Sequence, residues 1–341
     1  MTKQSCLLPL FFFLLSACST APMPVVTALP QAPVVLNSTL PADQQAFVDR
    51  MVKTEQFNAG DLQKLFLQAK VNPVRVRQMD QPLESLTWGR YQQVYVRPSL
   101  IEKGQIFLQE NHMALAAAET QYGVPSQIIV GILGVETNYG GNEGESNAFN
   151  ALFTLAFNYP RRAAFFQNEL ASYLLLTRET GWNPLTLKSS YAGALGMPQF
   201  MPSVYQQYAV SNSQNYPDLF HNTNDAIGSV GNYLSKMGWQ RGGPIVVKAD
   251  LSKAVVLTDS LKNDTLTLLQ FKKEGIHAEY KMPGDLQACL LVLQGQAGPE
   301  YWLAFHNFYV IKRYNASNLY AMAVWELGER ILAEKPNDGN S

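Results

Sequence analysis

The sequence is short of cysteine, of histidine and of any excess of charge. Two of its three cysteines, Cys6 and Cys18, fall at the very start, so Cys289 has no partner in the body of the chain. An internal disulfide is therefore excluded there. Cys289 lies in the apolar run ACLLVLQ, the setting of a small packed hydrophobe. With only 4 His and 3 Cys, no Cys/His zinc spacing can be drawn. Lys and Arg number 26 against 27 Asp and Glu, a formal net charge of -1. No global field draws such a chain to nucleic acid or to an acidic membrane surface, so any grip on an anionic polymer must be local. Internal repeats are absent, and low complexity is confined to residues 19–41.

What is present describes a large packed body. The 341 residues are 47% hydrophobic and 16% charged, enough for one large domain or two to three subdomains. The 16 Tyr, 17 Phe and 5 Trp exceed what a groove needs; most must fill the core, and the rest offer aromatic binding surface.

The chain opens with Lys3 and an apolar run, LLPLFFFLL, from Leu7 to Leu15. That run is too short to cross a bilayer and, with Ser16 and Ala17 behind it, reads as a signal peptide. The tetrad Leu15-Ser16-Ala17-Cys18 resembles a bacterial lipobox, which implies cleavage before Cys18 and acylation of that residue. Ser at position 19, rather than Asp, implies the outer membrane. Each buried methylene of an acyl chain adds about 0.8 kcal/mol, so several chains anchor firmly. Ordinary secretion with an incidental cysteine is the alternative. Residues 19–41 carry several prolines and no charge, as an extended tether does.

Folded sequence begins near Asp43. Helical patterns run over 43–57, 61–70, 99–121, 147–158, 161–180, 224–237 and 317–334, with Gly123, Gly181 and Gly238 at natural stops. Another helix opens at Pro125 and ends on Glu136. After Gly242-Gly243 the texture turns β-rich: 245–248, 253–259, 265–271, 288–294 and the pair YWLAF and FYVIKRY within 301–314. The expected fold class is mainly α with a small β insertion, α+β.

One acid stands out. In IIVGILGVET, residues 128–137, an apolar run drives straight into Glu136. A helix end, or a core Glu tied to an Arg, would explain it. So would an acid that must keep its proton at neutral pH, because burial disfavours the ionised form. No persuasive second carboxylate accompanies it; Glu143 and Glu145 lie in the Gly-rich loop GGNEGES, where solvation is expected.

Four segments carry a resemblance: GVETNYG at 134–140, FNYPRR at 157–162, SYAGALGMPQFMP at 190–202, and RYNAS at 313–317 with Tyr320 one turn on. In this order, behind a lipoprotein-like start, they closely resemble the membrane-bound lytic murein transglycosylase B family over roughly residues 43–335. The resemblance implies a lysozyme-like catalytic core with an added helical region. It implies boundaries at 1–17 (signal peptide), 18–41 (lipidated Cys18 and tether), 42–110 (helical region), 111–242 (catalytic core), 243–312 (β-rich insertion) and 313–341 (groove segment and final helix). It also implies cleavage of the MurNAc–GlcNAc β-1,4 bond of peptidoglycan with formation of 1,6-anhydro-MurNAc. Glu136 would act first as acid and then as base, with no cofactor and no nucleic acid.

Carried over by residue, Ser190 would meet the N-acetyl group. Gln199 and Phe200 would shape a sugar subsite, with Gly193 and Gly196 allowing close approach of the glycan. Tyr91, Tyr314 and Tyr320 would line the groove, and Asn315 would bond at the cleavage site. Arg161 and Arg162 would meet lactyl or peptide carboxylates, a structural ion pair being the alternative. Two positions depart from the family. Phe165 stands where a Tyr is expected, removing one hydrogen bond to the glycan. The segment 211–224, where some members carry a calcium loop, has Ser211, Ser213 and Asn215 at acidic positions, Tyr216 at the turn glycine and Asn222 at the closing acid. Asp218 is its only carboxylate, so no metal site is expected. Partners are then peptidoglycan strands and the outer membrane, facing the periplasm; association with cell-wall synthesis proteins is undetermined. A hydrolytic muramidase and a non-catalytic peptidoglycan-binding scaffold are the competing readings.

Overall fold

The structure, a computed structural model, describes residues 39–79, 86–211, 216–252 and 255–333. The expected signal peptide, Cys18 and most of the expected tether lie outside the described residues, as do Ser213 and Asn215. From Leu40 onward the chain forms one compact unit, mainly helical with a small sheet.

The N-terminal helices are α1 (Ala42–Glu55), α2 (Ala59–Leu67), α3 (Pro73–Met79), α4 (Trp88–Tyr95), α5 (Pro98–Glu110) and α6 (His112–Tyr122). The central group comprises α7 (Ser126–Thr137), α8 (Ala148–Asn158), α9 (Ala163–Thr180), α10 (Pro202–Tyr208) and α11 (Thr223–Lys236). Strands β1 (Ser146–Asn147) and β2 (Lys188–Ser189) form a short ladder between them, pairing Ser146 with Ser189. Aromatic edges lock α1 and α2 onto α8: the rings of Phe47 and Phe66 are 5.5 Å apart, and those of Phe66 and Phe153 are 5.2 Å apart.

The β-rich part holds β3 (Val246–Leu251), α12 (Asp259–Asn263), β4 (Leu266–Thr267), α13 (Leu268–Lys273), β5 (Ile276–Ala278), β6 (Gln287–Gln294) and β7 (Pro299–Ala304). Its strands form an antiparallel sheet in the order β4-β6-β7-β3-β5. This sheet has its own core, including Val247, Phe271, Leu290 and Leu303. Helices α14 (His306–Ile311) and α15 (Asn318–Ala333) return the chain to the main core. Among the described residues no helix is long and apolar enough to cross a membrane.

Several local expectations are corrected. The helix expected over 99–121 is two helices broken at Asn111, whose side chain turns back to the Phe107 carbonyl, the local competition that Asn offers to a helix. In the run at 265–271, Thr267 and Gln270 form a capping box that converts all but the first residues into α13. The segment FYVIKRY is helical at its start, as α14, because a short apolar run does not declare its period. The stretch 253–259 contributes no strand among its described residues, and α3, α4 and α10 were not foreseen. Cys289 is half-buried on β6, its Sγ 3.2 Å from the Thr265 hydroxyl.

Candidate active site

Helix α7 supplies the acid and α15 supplies its partner. The two cross almost backbone to backbone. A Cβ on Gly131 would lie 2.3 Å from the Val324 carbonyl oxygen, and one on Gly328 would lie 2.5 Å from that of Gln127. This approach brings the Tyr320 hydroxyl to 2.6 Å from Oε1 of Glu136, to which it donates. Asn138, at φ 54°, ends α7 in the left-handed region just beyond the acid. Glu136 as a residue is partly exposed, while its carboxyl is enclosed by protein. Burial pushes its pKa up to about 7, and the Tyr320 hydrogen bond opposes that rise.

The next residue joins this helix end to the 190–202 loop. The Thr137 hydroxyl donates to the Met197 carbonyl at 2.8 Å and accepts from the Gly140 N–H at 3.0 Å. In that loop Ser190 Oγ accepts N–H bonds from Ala194 at 3.0 Å and Ala192 at 3.3 Å. Gln199 is held at φ 52°, with Nε2 donating to the carbonyls of Gly196 and Glu143. Gly193 and Gly196 serve the fold itself. Both have positive φ, and their α-carbons press on the Leu152 side chain and the Leu219 carbonyl, where a Cβ would come within 2.4 and 2.5 Å.

The aromatic residues divide between wall and support. Tyr91, Phe200 and Tyr320 are buried, while Tyr314 is half-exposed. The Tyr314 ring stacks on Tyr320 at 6.2 Å and 13°, and its hydroxyl donates to the Pro198 carbonyl. A small cleft opens beside it, lined by Gln199, Phe200, Met201, Val204, Tyr233 and Tyr314. Tyr91 is thus a packed residue, whereas Phe200, though buried, still lines this cleft. The Asn315 side-chain Oδ1 accepts from the Ser317 N–H, ordering the turn into α15. Arg161 and Arg162 lie exposed on the turn Pro160–Arg162. Position 165 has a distinct use here: the Arg162 guanidinium sits 4.1 Å over the Phe165 ring, a cation–π contact that needs no hydroxyl.

Glu143 is not the solvated acid expected from its loop. It is half-buried, and burial pushes its pKa up to about 7, with His221 and Asp218 as its charged neighbours. Glu145 is exposed. Among the described residues, the Glu136 shift comes from burial and the Tyr320 hydrogen bond, and no second acid contributes to it.

In the 211–224 segment the side chains of Asp218, His221 and Asn222 are engaged within the protein. Both Asp218 oxygens have partners, Oδ1 in the Phe220 and His221 N–H groups and Oδ2 in the His221 ring. Asn222 caps α11 by accepting from Asn224 and Asp225.

Three contributors escaped sequence reasoning. Thr137 was visible only as part of a motif. Tyr233 reads as a core residue of an amphipathic helix, yet it packs on Phe200 and Tyr314. Glu169 is buried and satisfied by the Ser203 N–H at 2.9 Å and hydroxyl at 2.7 Å, pinning the start of α10 behind Gln199.

The described geometry agrees with comparisons to known proteins. Residues 40–329 match the family model of the transglycosylase SLT domain. Membrane-bound lytic murein transglycosylase B of Escherichia coli (strain K12) is 39% identical over 350 residues, covering 95% of this chain and 96% of that protein. The Escherichia coli lytic transglycosylase Slt35, solved in complex with calcium, superposes with a TM-score of 0.79 at 39% identity, over 86% of this chain and 93% of its own. SltB3 from Pseudomonas aeruginosa, solved in complex with NAG-NAM-pentapeptide, gives a TM-score of 0.76 at 28% identity, over 85% of this chain and 79% of its own.

Proposed function

Because the chain belongs to the transglycosylase SLT family, we infer that it is a peptidoglycan lytic transglycosylase. It cleaves the β-1,4 bond between MurNAc and GlcNAc and closes the MurNAc end into a 1,6-anhydro sugar. The observation that carries the mechanism is a single acid, Glu136, held by a tyrosine and not by a second carboxyl. With its pKa raised to about 7, about half of Glu136 keeps its proton at neutral pH, where an ordinary carboxyl keeps almost none. It gives that proton to the leaving GlcNAc oxygen as the C1–O4 bond breaks. The N-acetyl oxygen of the MurNAc supports the developing charge at C1. We place that group at Ser190, whose oxygen already accepts two N–H bonds and whose hydrogen is left to meet the acetyl carbonyl. The Glu136 carboxylate, steadied by Tyr320, then takes the proton of the 6-hydroxyl as O6 bonds to C1. The acid is restored and no water is consumed. Gln199, Phe200, Tyr314 and Asn315 form the subsite walls with Tyr91 packed behind them, and Arg161 and Arg162 face the lactyl or peptide carboxylates. Mass spectrometry of products from purified sacculi tests this: every new MurNAc end should be lighter by one water than a reducing end. Mainly reducing MurNAc would assign the enzyme to the hydrolases.

Tyr320→Phe removes the bond that opposes the rise in the Glu136 pKa, leaving burial to act alone. The protonated form is the active acid, so the basic limb of the pH–rate profile should move to higher pH. A limb that stays in place would reduce Tyr320 to a packing role.

The relative named above is membrane-bound, and we place this enzyme likewise in the periplasm against a membrane. The finer proposal is an outer-membrane lipoprotein anchored through Cys18, supported by LSAC behind the apolar run. Cys18→Ala should shift the protein to the soluble periplasmic fraction; unchanged membrane fractionation would refute the anchor. We also propose the domain boundaries given above, a division favoured by the separate core of the sheet.

Finally, we propose that calcium has no specific site at 211–224, given the engaged Asp218 and Asn222 side chains. A specific ligand raises the melting temperature as its concentration passes Kd. Millimolar calcium should therefore leave the melting curve where it is. A saturable rise not matched by magnesium would show that the loop still binds it.

A further inference from the structure

The sheet subdomain carries a second cleft, of about 410 Å³, that shares no lining residue with the small cleft beside Tyr314 and does not include Glu136. It lies between α13, β5 and the segment that follows β5. Its floor is apolar, with Leu268, Ile276 and Leu303 buried. Its rim is open: Leu269 is 56% and Tyr280 58% exposed. Lys272, His277 and Lys281 line it against one acid, Glu279. This is a local positive excess in a chain whose formal net charge is -1. β5 is the last strand of the sheet, so among the described residues its outer main-chain edge pairs with no other strand.

We propose that this cleft binds the acidic stem peptide of peptidoglycan, giving the enzyme a hold on the wall apart from its glycan groove. The proposal rests on peptidoglycan being the substrate. The volume suits a few residues of extended peptide and not a helix or a folded partner. The two ammonium groups match the peptide's carboxylates, and the apolar floor matches its alanyl methyls. Main-chain groups on the free edge of β5 offer hydrogen bonds to an extended backbone. A sugar-reading site would instead need several fixed polar groups, whereas the floor here is aliphatic.

The test uses the full chain and a fluorescently labelled stem pentapeptide without sugar, followed by anisotropy. Lys272→Glu combined with Lys281→Glu should weaken binding about tenfold or more, the scale expected from reversing two exposed charge contacts. Turnover of peptide-free glycan strands should be unchanged, because neither lysine lies in the groove. The milder pair Lys272→Gln and Lys281→Gln should fall between, which guards against misfolding of the charge-reversed form. The proposal is overturned if the peptide binds all forms equally, or if Arg161→Ala and Arg162→Ala abolish binding while the lysine variants retain it. It is also overturned if vesicles containing anionic lipid compete the peptide off, since the cleft would then be a headgroup site. Failure of the wild type to cleave peptide-free strands would instead count against the assigned reaction.

Discussion

Glu136→Gln should lower turnover of murein by 10⁴-fold or more while leaving glycan binding in place. A general acid or base typically contributes about 10²–10⁴-fold. Here the same carboxyl serves both proton transfers, so its loss falls at or beyond the upper end. The amide keeps the shape and can still accept the Tyr320 hydrogen bond, now at 2.6 Å, so the groove should stay assembled. Wild-type activity should also fall as pH rises through about 7, where Glu136 loses the proton it must donate. Rate measurements on sacculi, with strand binding assayed in parallel, check both. Near-normal turnover of the glutamine variant would end the single-acid account. It would then direct attention to Glu143, the other acid whose pKa burial raises to about 7.

Gly131→Ala should destabilise the protein although alanine is the better helix former. The propensity gain is about 0.5–1 kcal/mol. Against it stands a Cβ only 2.3 Å from the Val324 carbonyl oxygen, a backbone atom that no side-chain rotation can move aside. Overpacking of this kind costs about 1–3 kcal/mol, and the steric side wins. At about 2–4 °C per kcal/mol, the scale for 150–250 residues, melting should fall by several degrees. Gly131→Val should do worse. Activity should fall alongside stability, because parting α7 from α15 lengthens the Tyr320–Glu136 contact. Thermal melts and initial rates test this together. A Gly131→Ala variant as stable as the wild type would mean that the helices have room which the geometry denies.

The candidate acid was legible in sequence because burial leaves a local mark: a carboxylate at the end of an apolar run. The calcium reading was equally local, since it depended on which residue types stand at alternate positions. Other errors were of scale. The capping box at Thr267 and Gln270 was written in the sequence, yet the β-rich residues around it outweighed it. Glu143 looked solvated because its neighbours in the chain are glycines; the groups that enclose it come from elsewhere.

By itself, then, the sequence determined which chemistry is available: one carboxyl driven into apolar surroundings, the motifs that place the chain in its family, and a mainly helical body with a β-rich part. These depend on residue type and short spacing, which a chain carries whether folded or not. Only the tertiary structure decided how that carboxyl is tuned. Tyr320 lies 184 residues from Glu136 and reaches it because glycines let α7 and α15 meet backbone to backbone. Thr137 reaches Met197 across 60 residues of sequence, and the Arg162–Phe165 stack needs the turn at Pro160 to aim it. Hydrogen bonds and desolvation act over a few ångströms of space, so their strength is set by which segments touch, and that is fixed only when the core closes.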